Sequence, residues 1–205
     1  DALFVNQAWS ILHGHWLGTY SEFTLMKGPM YSILLAAAYR AGVPFFALLQ
    51  VLYAIACVVL VLALRPLKLN RCVQFALFVV LLFNPVTYET HVHDRLLRQN
   101  LIPSLALLIV ATLIGLYARR LDRLRRLAPW ALVAGVTLPV FWLTREESVW
   151  IVPCAGLIWA ATCFTAWRSG VADRWLRLGI FAVPIGMCML GTSIVAWINL
   201  RHYGI

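Results

Sequence analysis

The sequence predicts an all-α protein, a polytopic transmembrane bundle of about six spanning helices with external amphipathic helices beside it. Of its 205 residues, 62% are apolar and only 12% are charged, and the mean hydropathy is +0.83. Soluble domains are roughly 45–50% apolar and about 25% charged, and a chain this short has too little interior to hide so many apolar residues. The charges also cluster in short connections between long apolar runs. These observations exclude an ordinary soluble domain and a disordered chain.

Five apolar runs reach the length of about 20 residues, within a range of roughly 17–25, that a membrane-spanning helix needs. They are Phe45–Leu64, Leu101–Ala118, Leu127–Leu143, Val149–Trp167 and Leu178–Leu200. A sixth run, Cys72–Phe83, has 12 residues. It spans only if Asn84–Tyr88 continues the helix or if the bilayer thins locally.

The charges predict how the bundle is oriented. The connections at 65–71, 119–126 and 168–177 hold 11 positive and two negative residues, whereas the alternate connections and the ends hold six of each sign. The whole net charge of +9 therefore falls on one side, provided that all six runs cross. An excess of lysine and arginine marks the cytoplasmic side, so we expect a multi-pass protein of the plasma membrane. Arginines in short loops at helix ends do not suit a nucleic-acid partner.

The first 44 residues form a separate region, predicted to lie at the external surface, and residues 45–205 form the bundle. Within Ala2–Leu17, apolar Val5, Ala8, Trp9, Leu12 and Trp16 recur at helical spacing, which suits a helix lying in the membrane interface. Pro29 is a favoured first helical residue and predicts a short helix over Met30–Ala41. That helix is expected to stay at the surface or to be re-entrant, because crossing would invert every later loop. We expect further membrane segments on both sides of this sequence.

Residues capable of chemistry collect on the predicted outer face. An acidic group beside basic ones, at the mouth of a helix bundle, can bind a phosphate and still act as a base. Lys27 precedes a helix N-terminus, where an anion is favoured. For each cluster a solvated polar loop is the alternative interpretation. The candidate residues fall in three segments of the chain. The first segment contains Asp1 and Lys27, the second Asp94 and Arg98, and the third Arg145 and Glu146.

A metal site is the alternative interpretation of His91-Val-His93-Asp94. Two imidazoles and a carboxylate from one short loop are few ligands, and a loop histidine pair without further ligands is more often incidental. No metal ligand and no cofactor are therefore predicted, although a divalent ion stays an alternative.

Three stretches carry a resemblance to a known family: Asp1–Trp9, Gly14–Leu17, and Lys27-Gly-Pro-Met-Tyr31. They resemble the first external loop of GT-C glycosyltransferases, polytopic enzymes related to dolichyl-phosphate-mannose protein mannosyltransferases and to bacterial transferases that use undecaprenyl-phosphate sugars. The turn Thr144–Glu147, followed by Trp150 and Pro153, resembles a recurring external motif of the bacterial members. The motif-level likeness covers the first forty or so residues, and the rest is a likeness of layout.

The resemblance implies an inverting sugar transfer at the outer face of a bacterial inner membrane. Asp1 matches the catalytic carboxylate and would act as general base, while Asp94 would match a second external acid that positions the substrate. The implied partners are a polyprenyl-phosphate-linked sugar donor, the lipid bilayer, and an acceptor glycan, lipid or protein. The implied donor-binding and phosphate-binding residues are Lys27, Tyr31, Arg98, Arg145 and Glu146.

The competing function is transport, by a flippase or a carrier of a lipid-linked or anionic solute. Carriers usually place ionisable groups near the middle of broken helices and show inverted repeats. No apolar run here has a charge at its centre, and no repeat is visible in the sequence. The sequence therefore favours a transferase over a transporter.

Overall fold

The computed structural model describes residues 2–21, 24–25, 27–85, 98–144, 146–170 and 173–204. Within these residues the chain forms helices and no strand. Short 3-10 turns stand at Arg65–Leu67, Arg98–Asn100 and Glu146–Ile151. The α-helices are α1 (Ala2–Leu12), α2 (Met30–Arg40), α3 (Phe45–Ala63), α4 (Arg71–Leu82), α5 (Ile102–Ala118), α6 (Leu124–Trp142), α7 (Val152–Arg168) and α8 (Arg174–Tyr203).

Five of these helices, α3 and α5 to α8, are long and apolar enough to cross a membrane. Their bounds agree with the five long apolar runs to within a few residues, and the largest difference is that α8 extends the run Leu178–Leu200 to Arg174–Tyr203. The all-helical bundle expected from the composition is thereby confirmed.

Helix α4 is too short to span a membrane by itself. Its 12 residues rise about 18 Å, against a hydrocarbon core of about 30 Å. The hydroxyl of Tyr53, in the middle of α3, donates a hydrogen bond to the carbonyl of Leu81 at 2.7 Å, so α4 ends about halfway along α3. Helix α4 ends before Asn84, which is not helical, so it does not continue into Asn84–Tyr88 as predicted. A sixth crossing, by a thinned bilayer or with the help of residues 86–97 outside the described ranges, stays a prediction.

Helix α5 is the centre of the bundle, with α3, α6 and α7 packed against it. Close approach to α6 depends on Gly115, where a Cβ atom would overlap the indole ring of Trp130. Helix α8 packs along α6, and the two run parallel: a Cβ at Gly135 would meet Met187 and one at Gly191 would meet Pro139. At both contacts the two residues are 52 positions apart in the sequence, as expected for parallel helices. The glycine at each contact allows the two helices to approach closely.

A proline interrupts the backbone hydrogen bonds of α8 next to a contact with α7. Pro184 lacks an N–H and disturbs the turn before it. The indole N–H of Trp159, on α7, donates to the carbonyl of Phe181 at 2.8 Å. The missing N–H of Pro184 would have bonded the carbonyl of Ile180, so the indole joins α7 to the turn of α8 beside the gap.

The three basic connections meet at one end of the bundle, which we call the arginine end. Arg119 donates to the carbonyls of Leu62 at 2.7 Å and Ala63 at 3.2 Å, the last turn of α3. Buried Arg177 donates to the carbonyls of Arg120 at 2.9 Å and Asp122 at 2.6 Å. The carbonyls of the last turn of a helix lack regular partners within it, which applies to Leu62 and Ala63, whereas Arg120 and Asp122 lie in the connection between α5 and α6. The predicted gathering of these connections on one side is confirmed. Arg119 also caps the end of α3, and Arg177 joins the start of α8 to the connection between α5 and α6.

The N-terminal region differs from its predicted form. Helix α1 ends at Leu12 rather than Leu17, because the chain turns at Gly14 with a φ of +79°, a conformation that suits glycine. Its buried face consists of Phe4, Gln7 and Ala8, which contact neighbouring elements. Trp9, on the side predicted to face the membrane, is 57% exposed and so is available to the membrane interface. Helix α2 follows at Met30–Arg40, one residue shorter than predicted.

Candidate functional site

Two cations from distant parts of the sequence meet on one aromatic ring. Lys27 Nζ and the guanidinium carbon of Arg98 each lie 5.3 Å from the centroid of the Phe4 ring. The ring is 4% exposed and so is fixed by its packing. A cation over an aromatic face is attracted by the ring quadrupole, by about 0.5–1 kcal/mol when exposed and about 2 kcal/mol when desolvated. Phe4 therefore holds two positive charges within about 11 Å of each other.

The end of α6 completes the same site. The N–H of Met30 donates to the carbonyl of Leu143 at 3.3 Å, and the guanidinium of Arg98 donates to the carbonyl of Thr144, also at 3.3 Å. Gly28 lies directly on this backbone, because a Cβ atom there would overlap the Leu143 oxygen and lie 2.6 Å from its carbonyl carbon. The three polar segments predicted on one face thus converge. We call this place, where α6 ends and α5 and α7 begin, the Lys27 end.

Tyr31 lies beneath the site, inside the packed core. It has no exposed surface, and its ring packs edge-on against Phe4 at 5.1 Å and Phe45 at 5.4 Å between centroids. Burial raises the pKa of its hydroxyl well above the ordinary tyrosine value. The hydroxyl has no hydrogen-bond partner within the described ranges. The ring of Tyr31 therefore packs against Phe4 and helps to fix its position. Because the pKa of its hydroxyl is raised, that hydroxyl stays protonated at neutral pH and does not act as a base.

A buried amide ties the loop before Lys27 to the two short helices. Gln7 accepts a hydrogen bond from the hydroxyl of Ser32 at 2.8 Å and donates one to the carbonyl of Thr24 at 3.4 Å. The hydroxyl of Thr24 in turn accepts from the N–H of Ser21 at 2.9 Å. Because a buried amide left unpaired costs stability, these bonds hold Ser21 and Thr24 against α1 and α2.

An apolar cavity of about 270 Å³ lies between α5, α6, α7 and α8. It extends from Trp142 and Ile151, near the Lys27 end, to Thr112, Trp159 and Pro184 in the middle of the bundle. Two of its polar groups are already bonded to backbone carbonyls, the Thr112 hydroxyl at 2.9 Å and the Trp159 indole at 2.8 Å. The cavity therefore suits a hydrocarbon chain.

Comparison with protein-family models, with curated proteins and with solved structures finds no match for this chain.

Several predicted site residues lie outside what the structure describes. Asp1, Asp94 and Arg145 fall in undescribed positions, as does the side chain of Glu146, and their roles stay predictions. The described residues contain no group of three or more His, Cys, Asp or Glu that could hold a metal ion. His91 and His93 lie in the undescribed segment 86–97, so the structure does not test them.

Sequence reasoning missed Phe4 and Gln7, which position Lys27 and Arg98. The signal was present, because Phe4, Gln7, Ala8 and Ile11 also follow helical spacing. The tryptophans of Ala2–Leu17 favoured a different face, and a glutamine does not mark a buried face by composition. The contact between Arg98 and Thr144, 46 residues apart, had no local signal.

Proposed function

We propose that the chain is the donor-binding part of a membrane glycosyltransferase that takes a sugar from a polyprenyl-phosphate carrier. The observation that carries this proposal is the pair of cations, Lys27 and Arg98, on the Phe4 ring. Two fixed positive charges at the end of a helical bundle suit a phosphate. Arg145, which follows Thr144 directly in the sequence, would add a third.

The neighbouring cavity supports a lipid-linked donor rather than a soluble one. Trp142 lines the cavity and lies two residues before Thr144, whose carbonyl Arg98 contacts. An amphiphilic donor would keep its phosphate beside the cations, while part of its chain enters the cavity or stays in the surrounding lipid. A soluble nucleotide sugar has no group that suits an apolar chamber.

In the proposed reaction, an acceptor hydroxyl or amine attacks the anomeric carbon of the sugar. The new bond to the acceptor forms as the bond to the phosphate oxygen breaks, and the configuration inverts. Asp1 takes the acceptor proton, and the bonding electrons leave with the polyprenyl phosphate. Lys27, Arg98 and Arg145 neutralise that departing charge, and Glu146 orients Arg145. A single base and no covalent intermediate distinguish this step from retaining chemistry.

The proposal places the Lys27 end outside the cell, in a bacterial inner membrane, because the arginine end carries the excess of positive charge. Two exposed serines test this orientation: Ser21, in the loop after α1, and Ser169, at the end of α7. In a cysteine-free background, Ser21→Cys should react with a membrane-impermeant thiol reagent in intact cells, whereas Ser169→Cys should react only after lysis. Labelling of Ser169→Cys in intact cells would reverse the orientation.

Lys27→Met tests the phosphate contact. Loss of a hydrogen bond to a charged group typically costs about 1.5–3 kcal/mol, so the affinity for a polyprenyl-phosphate hexose should fall by about ten- to a hundredfold. The measurement is a binding titration in nanodiscs, with polyprenyl monophosphate as a second probe. Lys68→Met, at the arginine end, is the matched control and should bind normally. An unchanged donor affinity in Lys27→Met would contradict the proposed role.

A further inference from the structure

A second pocket lies at the Lys27 end, and neither Lys27 nor Arg98 is among the residues that line it. It has a volume of about 450 Å³, within the range of small-molecule sites, and is formed by the segment after α1 and the end of α8. The register of 52 residues pairs Trp142, the last residue of α6, with Ile194. Helix α8 therefore continues nine residues, about 13 Å, past the end of α6. The pocket lies beside this projecting end.

Two aromatic rings of the pocket wall are held at their polar ends. The indole N–H of Trp16 donates to the side-chain oxygen of Asn199 at 2.8 Å, and the hydroxyl of Tyr203 donates to the carbonyl of Gly18 at 2.9 Å. Tyr203 also packs against Tyr20, with 5.6 Å between ring centroids. Because their donor groups are engaged, the two rings contribute apolar surface to the pocket.

The rest of the pocket wall is polar, and none of its described side chains carries a formal charge, with histidine counted as neutral. It contains the imidazoles of His15 and His202 and the hydroxyls of Ser10 and Thr19. The Ser10 hydroxyl donates to the carbonyl of Asn6 at 3.0 Å, which leaves its oxygen able to accept. Asp, Glu, Lys and Arg are absent from the described residues that line the pocket. Hydroxyls and imidazoles can each donate and accept hydrogen bonds.

We propose that this pocket binds a neutral carbohydrate. A hexose presents an apolar C–H face, which suits the surfaces of Trp16 and Tyr203, and a rim of hydroxyls, which suits the imidazoles and hydroxyls. An anion would lack a cation in the wall, and a purely apolar ligand would leave the polar groups unpaired. Carbohydrate binding in this pocket does not require sugar transfer and is independent of the proposed donor site at Lys27. The sugar is either a free glycan or the headgroup of a glycolipid.

Saturation-transfer difference NMR tests the proposal on the chain in nanodiscs, with methyl β-D-glucopyranoside and methyl α-D-mannopyranoside as probes and no lipid-linked donor present. At least one hexoside should receive saturation. His15→Ala and His202→Ala should each weaken binding by about two- to tenfold, the usual worth of one hydrogen bond. The double variant should lose it. Both histidines are exposed, so the fold does not depend on them. His13→Ala is the matched control, since His13 packs on Trp9 outside the pocket.

The aromatic wall has its own test. Tyr203→Leu should abolish hexoside binding, whereas Tyr203→Phe should retain most of it, because the ring stays and only the bond to Gly18 is lost. Competition by a monoglucosyl diacylglycerol in the nanodisc would assign a glycolipid headgroup, and persistence of the signal would assign a free glycan; either result supports the site. Absence of hexoside binding, binding unaffected by the double histidine variant, or histidine-dependent binding of inorganic phosphate instead would overturn the proposal. None of these results depends on the donor site.

Discussion

Asp1→Asn should lower the rate of sugar transfer by roughly 10²–10⁴, the usual worth of a general base, while membrane insertion and donor binding stay normal. Asparagine keeps the size and the hydrogen-bonding capacity of aspartate but cannot accept the acceptor's proton. The rate is measured under single-turnover conditions with a labelled polyprenyl-phosphate sugar, and the donor affinity is measured separately in the same nanodiscs. The substitution is introduced by site-directed mutagenesis of the gene that encodes the protein.

Two comparisons make the Asp1 result interpretable. Asp94→Asn should reduce the rate less, because Asp94 is assigned to positioning, and Asp122→Asn at the arginine end should have no effect, since Asp122 lies beside Arg126 far from the proposed chemistry. A wild-type rate in Asp1→Asn together with an inactive Asp94→Asn would transfer the base role to Asp94. If neither substitution alters transfer, the transferase proposal fails and transport of a lipid-linked solute becomes the better function.

Gly28→Ala should separate Lys27 from the rest of the site without removing a charge. The added Cβ would overlap the carbonyl oxygen of Leu143, which belongs to the backbone and cannot rotate away as a side chain can. The turn or the end of α6 must therefore shift, at a cost of about 1–3 kcal/mol. We expect a lower thermal midpoint and a donor affinity reduced about as far as in Lys27→Met.

The matched control is Gly186→Ala, in α8, where an added Cβ meets no atom within 4 Å. It should keep both the thermal midpoint and the donor affinity. Thermal stability is followed by tryptophan fluorescence, and donor binding is titrated below the midpoint of the variant so that unfolding does not imitate weak binding. Normal stability and normal binding in Gly28→Ala would show that the contact between Gly28 and Leu143 is not needed at the site.

The sequence by itself determined the class of fold and the positions of its long helices. Spans such as Phe45–Ala63 and Ile102–Ala118 are set by local composition, because an apolar run of that length has few alternatives to a buried or membrane-spanning helix. The gathering of arginines at one end followed from counting charges along the chain. The first two properties depend on composition within each run, and the third depends on the order of runs and charged connections along the chain, so the sequence pattern predicts all three.

Tertiary structure alone decided the site and the pocket. Phe4 lies between Lys27 and Arg98 because α1 turns a different face inward from the one that its tryptophans mark. Arg98 reaches Thr144, and Trp16 reaches Asn199 across 183 residues of sequence. Such pairings depend on helix register, as between Gly135 and Met187 or Gly191 and Pro139. Register follows from how side chains of two helices fit together, and neither helix specifies that fit by its own periodicity.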